Sequence, residues 1–320
     1  MRRLVSIGIS VALLALLYAH VDVGTLVQAA RSADPRWLSL GLSLVIPLTI
    51  ATAYRFKLLT TSASLSGGEA LRLILAASTL NLFLPSKLGD LAKAYVLSAK
   101  HGLNAGLSFS IVVLEKALDM MSLILLGTIA TFYLGWSQPL MAGLAVALAG
   151  FLVILLVILL PLHVLPSILD AAAKRLPDRF SPPLREFAHS WRDVIDWYWR
   201  NPYRAIGIIV LSVALWALHL LQFWFFTLAL NKAVPLLDNM AFATLSILVG
   251  LLPFTLAGIG SRDAAIVFFY GPYLTPGAGA ALGILATLRY VLPAVAGVPF
   301  AGEFAAAAAT LRRRKAERPS

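Results

Sequence analysis

The sequence predicts an all-α polytopic membrane protein, and two observations support this fold class. Of its 320 residues, 60% are apolar and only 13% are charged, with a mean hydropathy of +0.85. Soluble domains are about 45–50% apolar and about 25% charged, so a water-soluble globule of this composition would expose large apolar patches. The apolar residues also fall in runs of about 20, the length that a helix needs to cross a bilayer. A soluble globule and a disordered chain are therefore both excluded.

Six runs are long enough to span the bilayer. The first follows Met1-Arg2-Arg3 and is similar to a signal peptide, but no small-x-small cleavage site follows it, so we expect a retained anchor. The six predicted spans are Leu4–Val21, Trp37–Tyr54, Leu103–Leu134, Leu140–Leu160, Ala205–Leu230 and Gly277–Leu311.

Two further apolar segments are interrupted by proline and glycine. The first consists of Ala70–Leu84, a break from Pro85 to Asp90 that contains Gly89, and Leu91–Ala99. The second consists of Met240–Leu252, a break from Pro253 that contains Gly258 and Gly260, and Ala264–Tyr270. Broken helices at membrane depth are tolerated only inside protein or around a cavity. We therefore expect two re-entrant hairpins, with eight full crossings as the alternative.

The two breaks occupy corresponding places in the two halves of a single membrane domain, residues 1–134 and 138–311. Paired breaks of this kind are typical of inverted-repeat transporters, whose binding site lies at the breaks. The alternative is that two ordinary loops both happen to contain proline and glycine. The sequence favours about six full transmembrane helices plus two broken re-entrant hairpins in an inverted-repeat arrangement.

Positive charge predicts the orientation of the chain. With both hairpins re-entrant, twenty Lys and Arg residues fall on one side, whereas only Arg31, Arg36 and Lys232 fall on the other. Cytoplasmic loops carry such an excess, so we expect both termini and Pro166–Arg204 in the cytoplasm of a cell (inner) membrane protein. Gly135–Gln138 and Gly271–Pro276 should face outward.

The long polar segment 166–204 contains an amphipathic pattern. Apolar and aromatic residues recur at helical spacing from Leu184 to Tyr198, with charged residues on the opposite face. Such a helix either lies among lipid headgroups as a sensor or partner surface, or connects the halves and caps the bundle. We favour the connector. The basic tail 312–320, which begins with Arg312-Arg313-Arg314-Lys315, is predicted to anchor at anionic lipid.

Three charged residues lie inside an otherwise apolar span. Glu115 and Asp119 share a helix face at i,i+4 spacing, and Lys116 lies between them. Each charge near the bilayer centre costs about 2.5–3.5 kcal/mol, so we expect these three residues to have a structural or binding role. The alternatives are an ion-pair network that holds helices together and a site in a polar cavity. Candidate cations for the carboxylates are Lys87, Lys93, Arg262 and Arg289.

The helix breaks also predict a phosphate site. Lys87 and Arg262 stand beside the breaks, where a half-helix N-terminus would offer free backbone N–H groups and partial positive charge. Arg289 lies deep in the last span. The candidate substrate-binding residues are Lys87, Asp90, Glu115, Lys116, Asp119, Arg262, Asp263 and Arg289, and the helix breaks are Pro85, Gly89, Pro253, Gly258 and Gly260.

The sequence contains no enzyme signature. It has no cysteine, its five histidines lack metal-ligand spacing, and no nucleophile elbow or phosphate-binding loop is present. We therefore expect a protein without catalytic residues, metal or cofactor. The net charge of +11 is explained by cytoplasmic loops, so it does not indicate nucleic acid as a partner.

Three ordered motifs and Arg55 resemble a known family. The motifs are Asn81…Pro85-x-Lys87-x-Gly89-Asp90, Glu115-Lys116-x-x-Asp119 and Pro253…Gly258-x-Gly260-x-Arg262-Asp263. In this order, over nearly the whole chain, they resemble the transmembrane region of lysylphosphatidylglycerol synthases and the stand-alone flippase-like proteins related to it. That family often has Glu where this chain has Asp90 and Asp263, which keeps the charge but shortens the reach.

The resemblance implies movement of lipid between leaflets. In the synthases, the membrane region translocates aminoacylated phosphatidylglycerol made by a cytoplasmic aminoacyltransferase domain, which we do not expect here because the chain ends soon after Leu311. Stand-alone relatives accompany glycosyltransferase, polyprenyl-lipid or hopanoid pathways. The implied partners are a phospholipid, a polyprenyl-phosphate lipid or a hopanoid-type lipid, and a glycosyltransferase or lipid-synthesis enzyme.

Three functions are compatible with these observations. The first is a flippase-like lipid translocator with a headgroup in a polar cavity between the hairpins. The second is a non-catalytic membrane scaffold for a glycosyltransferase or lipid-modifying enzyme, with 166–204 as the docking surface. The third, a membrane-embedded transferase, is disfavoured because nucleophile and metal motifs are missing.

Overall fold

The computed structural model describes residues 28, 31–60, 64–83, 89–135, 139–177, 179–252, 260–302 and 304.

Helix starts follow local sequence signals. Three long helical segments within the described ranges begin with a capping side chain followed by proline. The caps are Asp34, Asn201 and Thr275, whose side chains accept hydrogen bonds from first-turn N–H groups. Proline suits the next position because its missing N–H and fixed φ cost nothing there.

Twelve α-helices lie within the described ranges, which contain no strand. The first six are α1 (Pro35–Ser43), α2 (Val45–Leu59), α3 (Gly67–Phe83), α4 (Ala92–His101), α5 (Ala105–Gly135) and α6 (Pro139–Leu159). Two helices connect the halves, α7 (Val164–Ala173) and α8 (Ser181–Trp199). The last four are α9 (Pro202–Ala229), α10 (Leu236–Leu251), α11 (Ser261–Phe269) and α12 (Pro276–Gly297), followed by a 3₁₀ turn over Val298–Phe300.

By length and composition, four segments of the described chain can cross a membrane. They are Pro35–Leu59, Pro139–Leu159, Pro202–Ala229 and Pro276–Phe300, at the positions of four predicted spans. Helix α5, at 31 residues, is about 46 Å long and also exceeds the hydrocarbon thickness. On α6, Val146, Val153 and Ile154 are exposed, as expected of a surface that faces lipid. The protein is a multi-pass helical membrane protein.

Two predicted spans have different ends or interruptions in the structure. The span Trp37–Tyr54 is divided into α1 and α2 at Leu44, because Pro47 lacks an N–H and its ring crowds the carbonyl four residues earlier. The last predicted span, Gly277–Leu311, is interrupted after Gly297, where its α-helix ends, and its residues from 305 onward lie outside the described ranges. Pro299 cannot donate to the carbonyl of Val295, and the chain forms the 3₁₀ turn instead. The predicted span Leu4–Val21 and the tail 305–320 lie outside the described residues.

The interrupted segments form a long and a short helix each. Helices α3 and α10 have 17 and 16 residues, or about 25 Å, which is shorter than the roughly 30 Å hydrocarbon core. Their partners α4 and α11 have 10 and 9 residues. Gly89 and Gly260 stand just before α4 and α11, whereas Pro85, Lys87, Pro253 and Gly258 lie outside the described residues. The re-entrant arrangement stays a prediction.

Corresponding helices of the two halves share several contacts, although α10 packs closely on its short partner α11 whereas α3 barely touches α4. Helix α4 lies on α5 as α11 lies on α12, and α2 packs on α3 as α9 packs on α10. The long broken helix of each half also crosses the other half, because α3 packs against α12 and α10 against α5. These cross-half contacts bring both sets of predicted site residues to the middle of the bundle.

The apolar face of helix α8 is buried inside the protein. Trp191, Val194 and Ile195 are buried, and α8 packs on α5 and α7. The hydroxyl of Tyr198 donates to the carbonyl of Ala205 at 2.8 Å, which ties α8 to the start of α9. This face is therefore occupied by the bundle itself, as the connector interpretation of residues 166–204 requires.

Candidate functional site

A cavity of about 200 Å³ lies where the two halves meet. Helices α2, α3, α4, α5, α9, α10, α11 and α12 contribute to its lining. Six of the eight predicted substrate-binding residues line it, namely Asp90, Glu115, Lys116, Asp119, Arg262 and Arg289. Asp263 is not part of the lining but pairs with Arg262, and Lys87 lies outside the described residues.

Lys93, in the first turn of α4, pairs with two carboxylates. Its Nζ lies 2.5 Å from Glu115 Oε2 and 3.0 Å from Asp90 Oδ1. Lys93 and Glu115 are both 0% exposed, so neither charge is solvated by water. Burial of an isolated charge is far more costly than burial of a hydrogen-bonded pair, so each residue requires the other. This contact fastens α4 to α5.

Asp119 binds two cations and an indole. Its Oδ1 lies 2.6 Å from Arg55 Nη2 and accepts a hydrogen bond from Trp216 Nε1 at 3.2 Å. Its Oδ2 lies 3.1 Å from Lys116 Nζ, and the same Nζ lies 3.2 Å from Asp90 Oδ2. We call the connected set of Arg55, Asp90, Lys93, Glu115, Lys116 and Asp119 the ion network. It contains three cations and three carboxylates, so it is neutral as a whole.

The ion network differs from the sequence-based expectation in its cations. Lys93 was a candidate partner of the carboxylates, but Arg55 was not, and Arg262 pairs elsewhere. The twenty cytoplasmic charges of the orientation argument include Arg55 and Lys93, but these residues lie in α2 and α4 and are only 1% and 0% exposed, so neither belongs to a cytoplasmic loop. The predicted charge bias therefore rests on the other eighteen residues against three.

Arg262 ties α11 to α12. Its Nη2 lies 2.8 Å from Asp263 Oδ1 and donates to Thr287 Oγ1 at 2.5 Å. The other carboxylate oxygen of Asp263 accepts from the N–H of Gly260 at 3.1 Å, which caps α11. Gly260 has φ of 95°, a value that favours glycine. Both side chains are therefore held by protein partners, although Arg262 also lines the cavity.

Two glycines make room for this pair. A Cβ at position 250 would lie 2.8 Å from Arg262 Cβ, and one at position 283 would lie 2.9 Å from Asp263 Oδ1. Gly250 on α10 and Gly283 on α12 thus allow α11 to approach both neighbours closely.

Arg289 is a buried cation without a carboxylate. It is 4% exposed, and no Asp or Glu in the described part of the chain lies within 4.0 Å of it. Its Nη2 donates to Tyr290 Oη at 2.5 Å, and the guanidinium lies 4.8 Å from the centre of the Phe223 ring. Its Nε has no hydrogen-bond partner. Pro293 cannot donate to the carbonyl of Arg289, so the helix is also weakened here.

Sequence reasoning missed part of the lining. Trp216, His219 and Gln222 line the cavity from α9, and Nη1 of Arg289 lies 3.5 Å from both His219 Nδ1 and Gln222 Oε1. These three polar residues recur every three positions in an apolar helix and so share one face. That spacing could have revealed them. In the described ranges, no three His, Asp or Glu side chains are grouped as a metal site requires.

Comparison of the sequence with known protein families gives one match that covers nearly the whole chain. Residues 3–297 match the family described as the lysylphosphatidylglycerol synthase TM region. The chain belongs to this family. A UPF0104 membrane protein from Methanothermobacter thermautotrophicus is 21% identical over 287 residues, which cover 82% of this chain and 83% of the relative. A second, from Methanocaldococcus jannaschii, is 21% identical over 303 residues and 88% of each chain. The whole ion network, Arg262 and Arg289 lie inside the match to the synthase TM-region family.

Proposed function

We propose that this protein translocates a phosphate-containing lipid between membrane leaflets, with the headgroup in the cavity. The observation that carries this proposal is Arg289, a buried cation that lines the cavity and has no carboxylate among the described residues. A charge at membrane depth costs about 2.5–3.5 kcal/mol and commonly marks a substrate pathway. A phosphate oxygen would supply the missing partner, since guanidinium groups match phosphate geometry.

The packing of the halves supports a transporter. Each long broken helix crosses the long helix of the other half, α3 on α12 and α10 on α5, and the cavity lies between these crossings. Inverted-repeat transporters bind substrate at such a junction and expose it to either side by moving one half against the other. We propose the same arrangement here, with both termini in the cytoplasm.

The cavity size fits a headgroup rather than a whole lipid. Pockets for drug-sized ligands are about 300–1,000 Å³, and this one is about 200 Å³. The acyl chains would therefore remain among membrane lipids while the headgroup crosses. A phospholipid or polyprenyl-phosphate lipid would satisfy Arg289, whereas a hopanoid-type lipid without phosphate would leave it unpaired.

Reconstitution into vesicles that contain a phosphatidylglycerol labelled with a fluorophore on one acyl chain tests the proposal. A membrane-impermeant reductant destroys only outer-leaflet fluorescence, so translocation increases the fraction that is lost. We expect the wild type to translocate and Arg289→Gln to be at least about tenfold slower, because a charge-assisted hydrogen bond is lost. Arg72→Gln, an exposed change on α3, is the matched control.

The same assay separates a translocator from a scaffold. A scaffold for a glycosyltransferase needs folded helices but no movement of lipid, so vesicles with the wild type would lose no more fluorescence than empty vesicles. That result, obtained with and without an imposed pH gradient, would reject the proposed function.

A further inference from the structure

Several buried polar atoms of the cavity have no hydrogen-bond partner in the described part of the chain. The donors are Nε and Nη1 of Arg55 and Nε of Arg289, and the acceptors are Oε1 of Glu115 and Oδ1 of Asn81. All four residues line the same cavity. A buried donor or acceptor is costly when unpaired, so these atoms indicate what a bound headgroup must supply.

We propose that the translocated headgroup is a phosphodiester with one negative charge whose alcohol carries free hydroxyl groups. This proposal rests on the translocation function above and names its substrate class. Phosphatidylglycerol-type lipids and lipids with a glycosyl phosphodiester have this chemistry.

The single negative charge follows from charge balance. The ion network is neutral, and Asp263 balances Arg262 at 2.8 Å. Arg289 is the one charged lining residue of the described ranges whose charge is not balanced. A phosphodiester carries one charge and offers two free oxygens to a guanidinium. A phosphomonoester carries about 1.5–2 charges at neutral pH, which is more than Arg289 balances.

The hydroxyl groups follow from the unpaired acceptors. Glu115 Oε1 and Asn81 Oδ1 both require a donor, which a hydroxyl or an ammonium group could supply. An ammonium group beside Glu115 would meet two cations, because Lys93 Nζ lies 2.5 Å from Oε2 and Arg55 Nη2 lies 4.0 Å from Oε1. Like charges at such distances repel each other. Choline, ethanolamine and lysyl headgroups are therefore disfavoured.

Binding of short-chain lipids to the purified protein in detergent tests this substrate class without any need for transport. Dihexanoyl phosphatidylglycerol is compared with phosphatidylmethanol, which has the same charge and no hydroxyl, and with phosphatidylcholine and lysylphosphatidylglycerol. We expect phosphatidylglycerol to bind at least about fivefold tighter than phosphatidylmethanol, the value of one net hydrogen bond. It should bind at least about tenfold tighter than the other two lipids, because their ammonium groups would be repelled by Lys93 and Arg55 beside Glu115.

A pair of variants on α3 locates the hydroxyl contact. Asn81→Ala should weaken the binding of phosphatidylglycerol by roughly fivefold, the value of one net hydrogen bond, and leave the binding of phosphatidylmethanol unchanged. Ser78→Ala is the matched control, because Ser78 also lines the cavity but its hydroxyl is satisfied by the carbonyl of Ile74. The comparison among lipids uses the wild type alone, so a variant that fails to fold does not decide the question.

Three results would overturn the proposal. If phosphatidylcholine or lysylphosphatidylglycerol bound as tightly as phosphatidylglycerol, the net charge of the headgroup would not determine binding. If phosphatidylmethanol bound as tightly as phosphatidylglycerol, the hydroxyl groups would make no contact in the cavity. Competition by soluble glycerophosphoglycerol as strong as that by the lipid would assign the site to a water-soluble phosphodiester. Selective binding without translocation would reject the proposed function instead, whereas translocation without selectivity would reject this inference alone.

Discussion

Two buried arginines of nearly equal exposure have different surroundings. Arg262 and Arg289 are 3% and 4% exposed. Arg262 is paired with Asp263 and also bonded to Thr287, whereas Arg289 has neutral or aromatic neighbours such as Tyr290. The free energy of desolvation is therefore offset within the protein for Arg262, and it is largely not offset for Arg289.

This difference predicts opposite effects on stability. Arg262→Gln should destabilise the protein by roughly 3–5 kcal/mol, because it leaves Asp263 buried without its cation. Arg289→Gln should be neutral or stabilising, because it removes a buried charge that no carboxylate compensates. Thermal unfolding of the purified variants in one detergent measures both effects, with Arg72→Gln as the control. A large decrease in Tm for Arg289→Gln would mean that Arg289 is structural.

The sequence predicted the carboxylates of the site better than their partners. Glu115 and Asp119 stood out because charges are rare inside an apolar span. Arg55 follows the apolar part of its span, where a basic residue normally marks the cytoplasmic flank, so only the family resemblance drew attention to it. Its burial depends on how α2 packs in the bundle, which local periodicity does not determine.

At the scale of helices, glycine sets the distance between the halves. Gly127 on α5 faces Thr244 on α10, and Gly297 on α12 faces Leu75 on α3. A Cβ at position 127 would lie 2.3 Å from Thr244 Cγ2, closer than any real contact allows. The two cross-half contacts therefore both depend on a residue without a side chain.

Replacement of Gly127 should separate α5 from α10. We expect Gly127→Val to cost about 1–3 kcal/mol or more and to lower Tm, because the added side chain overlaps with Thr244. Gly150→Val on α6 is the matched control, since no atom lies within 4 Å of a Cβ there. Adding Thr244→Ala to Gly127→Val should recover part of the loss. Equal Tm values for the Gly127 and Gly150 variants would contradict this packing.

The positions of most helices could be predicted from hydrophobic runs, but several of their ends could not. The sequence is apolar from Gly277 to Leu311, yet the α-helix is interrupted after Gly297, just before Pro299. The pairing of α3 with α12 and of α10 with α5 is a contact between distant parts of the chain. Corresponding helix breaks indicated a repeat, but no local pattern specifies which helix of the other half each one meets.

At the scale of the whole molecule, orientation is the property on which the direction of transport depends. Eighteen Lys and Arg residues predict one cytoplasmic side, against three on the other. Cysteine can be introduced singly because the natural chain has none, and the wild type then serves as the unlabelled control. Suitable exposed positions are Ala105, Ala171, Ala233 and Pro272.

We expect Cys at Ala105 or Ala171 to react with an impermeant maleimide only from the cytoplasmic side, and Cys at Ala233 or Pro272 only from outside. Helices α5 and α6 lie between the first two positions and return the chain to its original side. Helix α9 alone crosses between Ala171 and Ala233. A re-entrant hairpin of α10 and α11 leaves Pro272 on the side of Ala233, whereas a single full crossing by this segment would place Pro272 on the cytoplasmic side. Cys at Pro272 therefore also distinguishes the re-entrant arrangement from eight full crossings. Labelling of Ala171 and Ala233 from the same side would mean that α9 does not span. A labelling pattern with every side reversed would be compatible with the same fold but would contradict the orientation that the charges predict.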